Sequence, residues 1–492
     1  MKKEIILVIL IAWFIVLFSG LTSQLYLGDE AYHYRFAKDW FNSGKRPLFD
    51  SAYDNGTPPG YFYSSEILWP MTLSCLWKIF GKISFPLAQV YHSLYFLIFL
   101  ISFYLVAKKL YDERIALYSM LILLSVPMVS LYGTVFYLEI PVVAFVLLTL
   151  LLLLEKKYFW AGITLGLVYL TKRSGIFFLP AFLLIILWDR DTSLKRKMFN
   201  LLVFLFISLL IVFPDIAWRE FRFRADLPKN ISEGVGSVGS FKGIVQRIQY
   251  PAFRTWKRVA LYQSPLQPSL LNLLGVVKFL GPVILLLLLS NVFFIKDKKK
   301  DKALFILIIS YFIGFMYFFG IFSDIRYVFL VLPFIAILSA KYLVLKNKGW
   351  ITNTTIYLCV IQFFAAGFYL NMQRRIPPEF KAGFNYIKNN SPEHSLVLYP
   401  ALIFNEATGR PMVWTRFPSL DTLFWGDEAA AKEVVKKGNV SYIFIDQDRI
   451  YDDARTRSYS GYPESFIKRA PKLNFLTLVF ENKKVMIFKV VN

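Results

Sequence analysis

Runs of about twenty apolar residues, separated by short polar clusters, fill the first three quarters of the chain. Such runs cross a hydrocarbon core of about 30 Å as helices, the one single-segment structure that hides its own backbone polar groups. The pattern predicts eleven spans, at about 5–25, 86–107, 114–132, 138–154, 158–171, 175–188, 199–217, 271–295, 303–321, 327–345 and 351–370. The first run is too long and continuous for a signal peptide, and no small-residue cleavage site follows it, so it reads as a retained span. Between spans, "LGDEAYHYRFAKDW" (27–40) spaces Tyr32, Phe36 and Trp40 at i, i+4 and i+8. That spacing predicts a helix with an aromatic face and a wet face carrying Arg35, Lys38 and Asp39, lying in the membrane interface and stopped at Gly44. "EILWPMTLSCLWKIF" (66–80) is apolar but short, and reads as re-entrant or interfacial.

The pattern changes after about residue 371, where turn residues recur every ten or so positions. "PEFKAGFNYIKNN" and "DEAAAKEVVKKG" have helical spacing, the second closed by Gly438. "SLVLYP", "VSYIFID", "NFLTLVFE" and "KVMIFKV" read as strands. The expected fold is a polytopic α-helical membrane protein with a C-terminal extracytoplasmic α/β domain. Residues 1–370 form the membrane domain with outer loops 26–85 and 218–270, and residues 371–492 form the α/β domain.

Composition agrees: 56% of the 492 residues are hydrophobic and 18% aromatic, which excludes a soluble globular class. Charge then orients the chain. With the N-terminus in the cytoplasm, nineteen Lys and Arg fall on short inside connections and three on short outside ones, as the positive-inside rule requires. The expected location is the cytoplasmic membrane, multi-pass, with 26–85, 218–270 and the tail outside. The two cysteines, Cys75 and Cys359, both lie in apolar segments, so no disulfide framework is expected.

Carboxylates in or beside a bilayer are costly, so their positions are informative. Asp29, Glu30, Glu139, Asp215 and Asp324 all fall at outer ends of spans. For each, a solvated helix end is the competing reading, and for Asp215 it is the preferred one. Cations gather on the same side. The loop 218–270 holds nine Lys and Arg against three acids, which fits attraction to anionic headgroups or to a lipid-linked phosphate. Lys172, Arg173, Lys278 and Arg326 stand near outer helix ends, against the orientation signal, and Lys and Arg are the residues that clamp a phosphate. A carboxylate can take a proton from an acceptor hydroxyl while cations stabilise a departing lipid phosphate, and this chemistry requires no divalent metal. His33, four residues after Asp29, has a metal-compatible spacing, but stacking on the neighbouring aromatics is the preferred reading.

At these residues the chain resembles the GT-C superfamily of membrane glycosyltransferases, in particular the dolichyl-phosphate-mannose protein mannosyltransferase group that includes the lipid A aminoarabinose transferases. "LGDEAYHYRFAKDW" resembles the acidic motif of the first outer loop and "TPPGYFY" (57–63) the Pro-Pro-aromatic segment. "FYLEIPVVAF" resembles the second acidic position, and "YLTKRSGIFFLP" and "IRYVFLVLPFIAIL" the Lys-containing and Arg-Tyr helix-end motifs. The resemblance implies that Asp29 is the catalytic base, with Glu30 shaping the site and Glu139 assisting. It also implies lipid-phosphate contacts from Lys172 and Arg326, with Arg173, Tyr327 and Lys278 as further candidates. Thr57 stands where many relatives carry Lys or His, so the resemblance supplies neither a phosphate contact from that loop nor the identity of the acceptor.

The expected function is inverting transfer of a sugar from a polyprenyl- or dolichyl-phosphate donor to a protein, lipid or glycan acceptor at the outer face, with no cofactor and no nucleic-acid partner. A transporter or flippase of a lipid-linked glycan is the alternative, although it would more often carry ionisable groups near the midplane. A non-catalytic scaffold would tolerate loss of Asp29.

Overall fold

The computed structural model describes residues 3–23, 28–47, 66–189, 192–223, 300–319, 325–346, 349–373, 376–400, 403–413, 419–446, 450–451 and 462–491. Two units emerge, Met1–Ser23 with Ser64–Gln373 and Gln24–Tyr63 with Arg374–Asn492.

The first unit is an apolar helical bundle. Among the described residues three helices, Phe85–Leu110, Leu194–Ala217 and Val328–Leu345, are long and apolar enough to cross a membrane. Shorter apolar helices include Glu139–Leu154 and Tyr158–Thr171. The span expected at 271–295 lies outside the described residues. The one expected at 114–132 is broken into Glu113–Ser125 and Pro127–Thr134, which meet at 73°. Proline explains the break: it disfavours helical backbone at the preceding residue, and Val126 is extended (φ −72°, ψ 119°). The ends of the two helices leave carbonyls that side chains then satisfy. At the break Gln362 Nε2 donates to Ser125 O at 2.8 Å, and at the end of the second helix His92 Nε2 donates to Tyr132 O at 3.0 Å.

Two expected spans begin as tight 3₁₀ turns, Arg173–Phe178 and Ile325–Val331, before continuing as the α-helices Leu179–Leu187 and Leu332–Lys346. Each α-helix has proline, Pro180 or Pro333, as its second residue, where a missing N–H costs nothing. Segment 66–80 forms the helix Leu68–Phe80, which buries Trp69 and Trp77 completely and is closed by Gly81 at φ 71°. Glycine serves there because the left-handed conformation strains any residue with a Cβ.

The second unit holds a five-stranded sheet built from β1 (Val397–Leu398), β2 (Met412–Val413), β3 (Tyr442–Asp446), β6 (Leu476–Glu481) and β7 (Val485–Val490). Its order is β2-β1-β3-β7-β6, and a separate pair joins β4 (Ile450–Tyr451) to β5 (Tyr462–Pro463). Strands β2, β1 and β3 are parallel; β7 and β6 add antiparallel. Period-two alternation sends Tyr442, Phe444, Val485 and Ile487 to one face, where Pro378–Asn390 and Ile403–Thr408 cover them. Ile443, Ile445, Met486 and Phe488 face the other way, under Leu420–Trp425, Glu428–Lys437 and Glu464–Arg469. Burial on both faces is why "YIFID" reads as a continuous apolar run. The helix Gly28–Ser43 of the first loop belongs to this unit.

Close helix packing in the bundle rests on small residues. A Cβ added at Gly166 would fall 2.6 Å from Ile211 Cβ and 3.2 Å from Ser208 O, whereas one at Gly349 would meet nothing within 4 Å. Gly166→Ala should therefore destabilise the bundle by about 1–3 kcal/mol through overpacking. Gly349→Ala should be neutral or slightly stabilising. Thermal unfolding of the detergent-solubilised protein distinguishes the two.

Candidate active site

The bundle places Lys172 by helix packing. Tyr158–Thr171 and Leu194–Ala217 run in the same direction: Gly162 opposes Phe204 and Ile207, and Gly166 opposes Ser208 and Ile211. Ser208 Oγ donates to Gly162 O at 3.0 Å across this contact. Their C-terminal ends, one followed by Lys172 and Arg173 and the other carrying Asp215 and Arg219, therefore lie on one side. Glu139–Leu154 runs antiparallel to Tyr158–Thr171, tied by a 2.8 Å hydrogen bond between Thr149 and Thr164. That register brings Glu139 Oε1 to 2.5 Å from Lys172 Nζ, with the carboxylate side chain 1% exposed and the ammonium side chain 11%. The turn after Lys172 is wedged in place by Gly175, where a Cβ would lie 2.3 Å from Val168 Cγ1 and 2.7 Å from Val142 Cγ2.

The neighbouring helix end carries a second buried pair, Asp215 Oδ2 with Arg219 Nη2 at 2.7 Å, one turn apart. The reading of Asp215 as a solvated helix end is thus corrected: it is 3% exposed and ion-paired. Arg219, read from sequence as part of a diffuse basic loop, is 7% exposed. It sits in the π-helical turn Trp218–Phe223, and its Nε and Nη1 make no hydrogen bond. The signal was present in "PDIAWREF", where an acid and a base stand at i and i+4 behind an internal proline. Tyr169 lies within electrostatic reach of both Arg173 and Asp215, which joins the two helix ends into one polar cluster. Ser174 Oγ in this cluster is also buried without a hydrogen-bond partner.

The backbone of Arg326 and Tyr327 lies in the turn Ile325–Val331, which packs against Glu139–Leu154 and Pro127–Thr134. Phe329 seats that turn edge-on against Tyr132, with centroids 5.2 Å apart. Lys278, Asp324 and the 57–63 segment lie outside the described residues.

In the other unit, Asp29 occupies the first turn of the helix Gly28–Ser43 and Glu30 follows it fully buried. Of the expected wet face, Lys38 and Asp39 are partly exposed but Arg35 is buried. Arg35 is 1% exposed, with Nη1 3.9 Å from Glu406 Oε1, and Lys38 Nζ donates to Glu406 Oε2 at 3.2 Å. Both cations meet a carboxylate of the α/β unit more than 360 residues further on, a partner no local pattern reveals. Phe36 and Trp40 stack at 5.7 Å, and His33 lies edge-on to Tyr32 at 5.2 Å. Burial, and then the charge of Glu406, push the Tyr34 phenol well above its usual range.

A family model for dolichyl-phosphate-mannose-protein mannosyltransferases matches residues 67–218, the stretch that holds Glu139, Lys172 and Asp215. No curated protein matches the chain by sequence. Among solved structures, ArnT from Cupriavidus metallidurans bound to undecaprenyl phosphate is similar at TM-score 0.60 and 14% identity, covering 99% of this chain and 97% of ArnT. The oligosaccharyltransferase AglB from Archaeoglobus fulgidus, in complex with an inhibitory peptide and a dolichol-phosphate, gives 0.57 and 16%, covering 91% of this chain and 70% of AglB. The mycobacterial arabinofuranosyltransferase AftD gives 0.53 and 13%, with this chain spanning 42% of its length. The fold is that of these solved structures, in keeping with the GT-C resemblance of the sequence motifs.

The Glu139–Lys172 pair carries a stability prediction. Lys172→Met leaves the carboxylate without its ammonium and should cost about 3–5 kcal/mol. Adding Glu139→Leu should restore most of that loss, because apolar side chains of similar volume pack as well as a buried ion pair. Melting temperatures of the two variants in lipid nanodiscs provide the check.

Proposed function

We propose that this protein is an inverting glycosyltransferase that moves a sugar from a polyprenyl or dolichyl phosphate to an acceptor at the outer face of the cytoplasmic membrane. The observation that carries the reading is the cluster of half-buried Lys172 and Arg173 and buried Arg219 at one end of an apolar bundle, beside buried Glu139 and Asp215. An apolar bundle with cations at its rim suits a donor that has a lipid tail and an anionic head. The lipid phosphates named for the ArnT and AglB structures support the same donor class.

In this reading the acceptor hydroxyl attacks the anomeric carbon from the face opposite the phosphate. Asp29 takes its proton, the bond from carbon to phosphate oxygen breaks, and the electron pair leaves with the lipid phosphate. Glu30 shapes the site. Lys172, Arg173 and Arg219 neutralise the growing charge, with Arg326, Tyr327 and Lys278 as further phosphate contacts. Glu139 accepts from one of the three N–H donors of Lys172 and orients the other two. Among the described residues no three His, Cys, Asp or Glu side chains converge, and the carboxylate of Glu139 is engaged by an ammonium. The proposed reaction requires no divalent cation, because the cations of the chain neutralise the departing phosphate.

Asp29→Asn keeps the size of the side chain and removes its basicity. It should lower transfer by about 10²- to 10⁴-fold while donor binding persists. The assay incubates purified protein with labelled hexosyl and pentosyl polyprenyl phosphates and follows donor loss and labelled product. Transfer at the wild-type rate by this variant would remove Asp29 from the role of base.

The cations act on the donor. Arg173→Gln and Arg219→Gln should each lower kcat/KM for the donor by about one to two decades, the effect of losing a charged hydrogen bond worth roughly 1.5–3 kcal/mol. The acceptor KM should stay unchanged. Equal losses for donor and acceptor would move the phosphate site away from this cluster.

A further inference from the structure

The first-loop helix, which carries the candidate acids Asp29 and Glu30, meets one distant carboxylate through two of its cations. Arg35 and Lys38, three residues apart and so on one face, both reach Glu406, at 3.9 and 3.2 Å. Two grips separated by about 4.5 Å along the axis fix the rotation of a helix as well as its position. Glu406 is itself firmly placed. Its short helix, Ile403–Thr408, buries Ile403, Phe404 and Thr408, and Phe404 packs edge-on against Phe384 at 5.6 Å and Phe444 at 5.5 Å in the core of the sheet. The side chain of Glu406 is 10% exposed and that of Arg35 is 1%, so water screens the pair little.

We infer that Glu406 is a positioning residue: through Arg35 and Lys38 the α/β unit sets where the helix holding Asp29 and Glu30 stands. The inference rests on the glycosyltransferase reading above. Asp29 lies six residues from Arg35, about 9 Å along a rigid helix, so a small tilt at the grip is carried to the first turn. Misplacing a catalytic group by about 1 Å can cost on the order of 10²-fold.

The test has a contact arm and a kinetic arm. Zero-length carbodiimide coupling of the intact wild-type protein should join Lys38 Nζ to the Glu406 carboxylate as an amide, identified by mass spectrometry of the linked peptides. In the kinetic arm, Glu406→Gln should lower kcat about tenfold or more with the donor KM within twofold, and Glu406→Asp should recover part of that loss. Should Glu406→Gln fail to fold, Lys38→Gln, at a half-exposed position, should lower kcat about two- to fivefold with the same unchanged donor KM. Unchanged kcat per folded molecule in these variants, with only a lower Tm, would make the contact merely structural and overturn the proposal. Absence of the Lys38–Glu406 cross-link would overturn it as well. A wild-type protein that forms the cross-link but transfers no sugar would instead overturn the glycosyltransferase reading, and the proposal with it.

Discussion

A carboxylate and an ammonium held 2.5 Å apart inside an apolar bundle dominate the organisation of the first unit. Each charge alone would cost several kcal/mol in that setting, so neither Glu139 nor Lys172 can take its place without the other. The pair fixes the antiparallel register of Glu139–Leu154 on Tyr158–Thr171, and the Thr149–Thr164 bond repeats the constraint in the middle of the contact. Gly162 and Gly166 then admit Leu194–Ala217 close alongside, which brings Arg219 and Asp215 to the same end. Stability gives no reason to keep charges here, because an apolar pair of similar volume packs at least as well. The proposed reaction does. An ammonium with one donor committed to a buried carboxylate is aimed, and an aimed cation acts on a developing phosphate charge without first reorganising.

Much of this was legible in the sequence because it is local. Apolar runs gave the bundle, and the asymmetry of Lys and Arg gave an expected orientation. In the tail, the four strand patterns fall on β1, β3, β6 and β7, and Asp427 caps its helix by accepting from Ala430 N at 2.8 Å. Pro127 was in plain view as the cause of the 73° bend, yet an apolar run read only for length absorbs a proline without notice. Strand β2 has two residues and takes its pairing from β1, so no alternation announces it.

The candidate site was legible to the extent that each charge has a local anomaly. Glu139 and Lys172 stand in apolar runs, and Asp215 and Arg219 are one helical turn apart. What the sequence hides is pairing across distance. The amphipathic pattern of 27–40 predicts an aromatic face against lipid and a charged face in water, since a single helix has no other way to satisfy Arg35. Arg35 instead lies at ion-pair distance from Glu406, 3.9 Å, and is one of the largest fully buried side chains in the described structure.

A helix of six residues has almost no stability of its own, since nucleation is costly and little propagation follows. Ile403–Thr408 persists because Phe404 is locked among Phe384, Tyr399 and Phe444. The position of Glu406 is therefore a property of the sheet, and so is the position of the two cations that meet it. Rigidity passes along a chain of short, specific contacts from an aromatic core to a carboxylate, from the carboxylate to Arg35 and Lys38, and from these to the turn that begins with Gly28 and Asp29. In the bundle, packing against glycine and a buried ion pair perform the corresponding task for Lys172. The two units reach a common end by different means, because one has an apolar surround in which charges must pair at once, and the other has a sheet stiff enough to hold a partner across 368 residues of sequence.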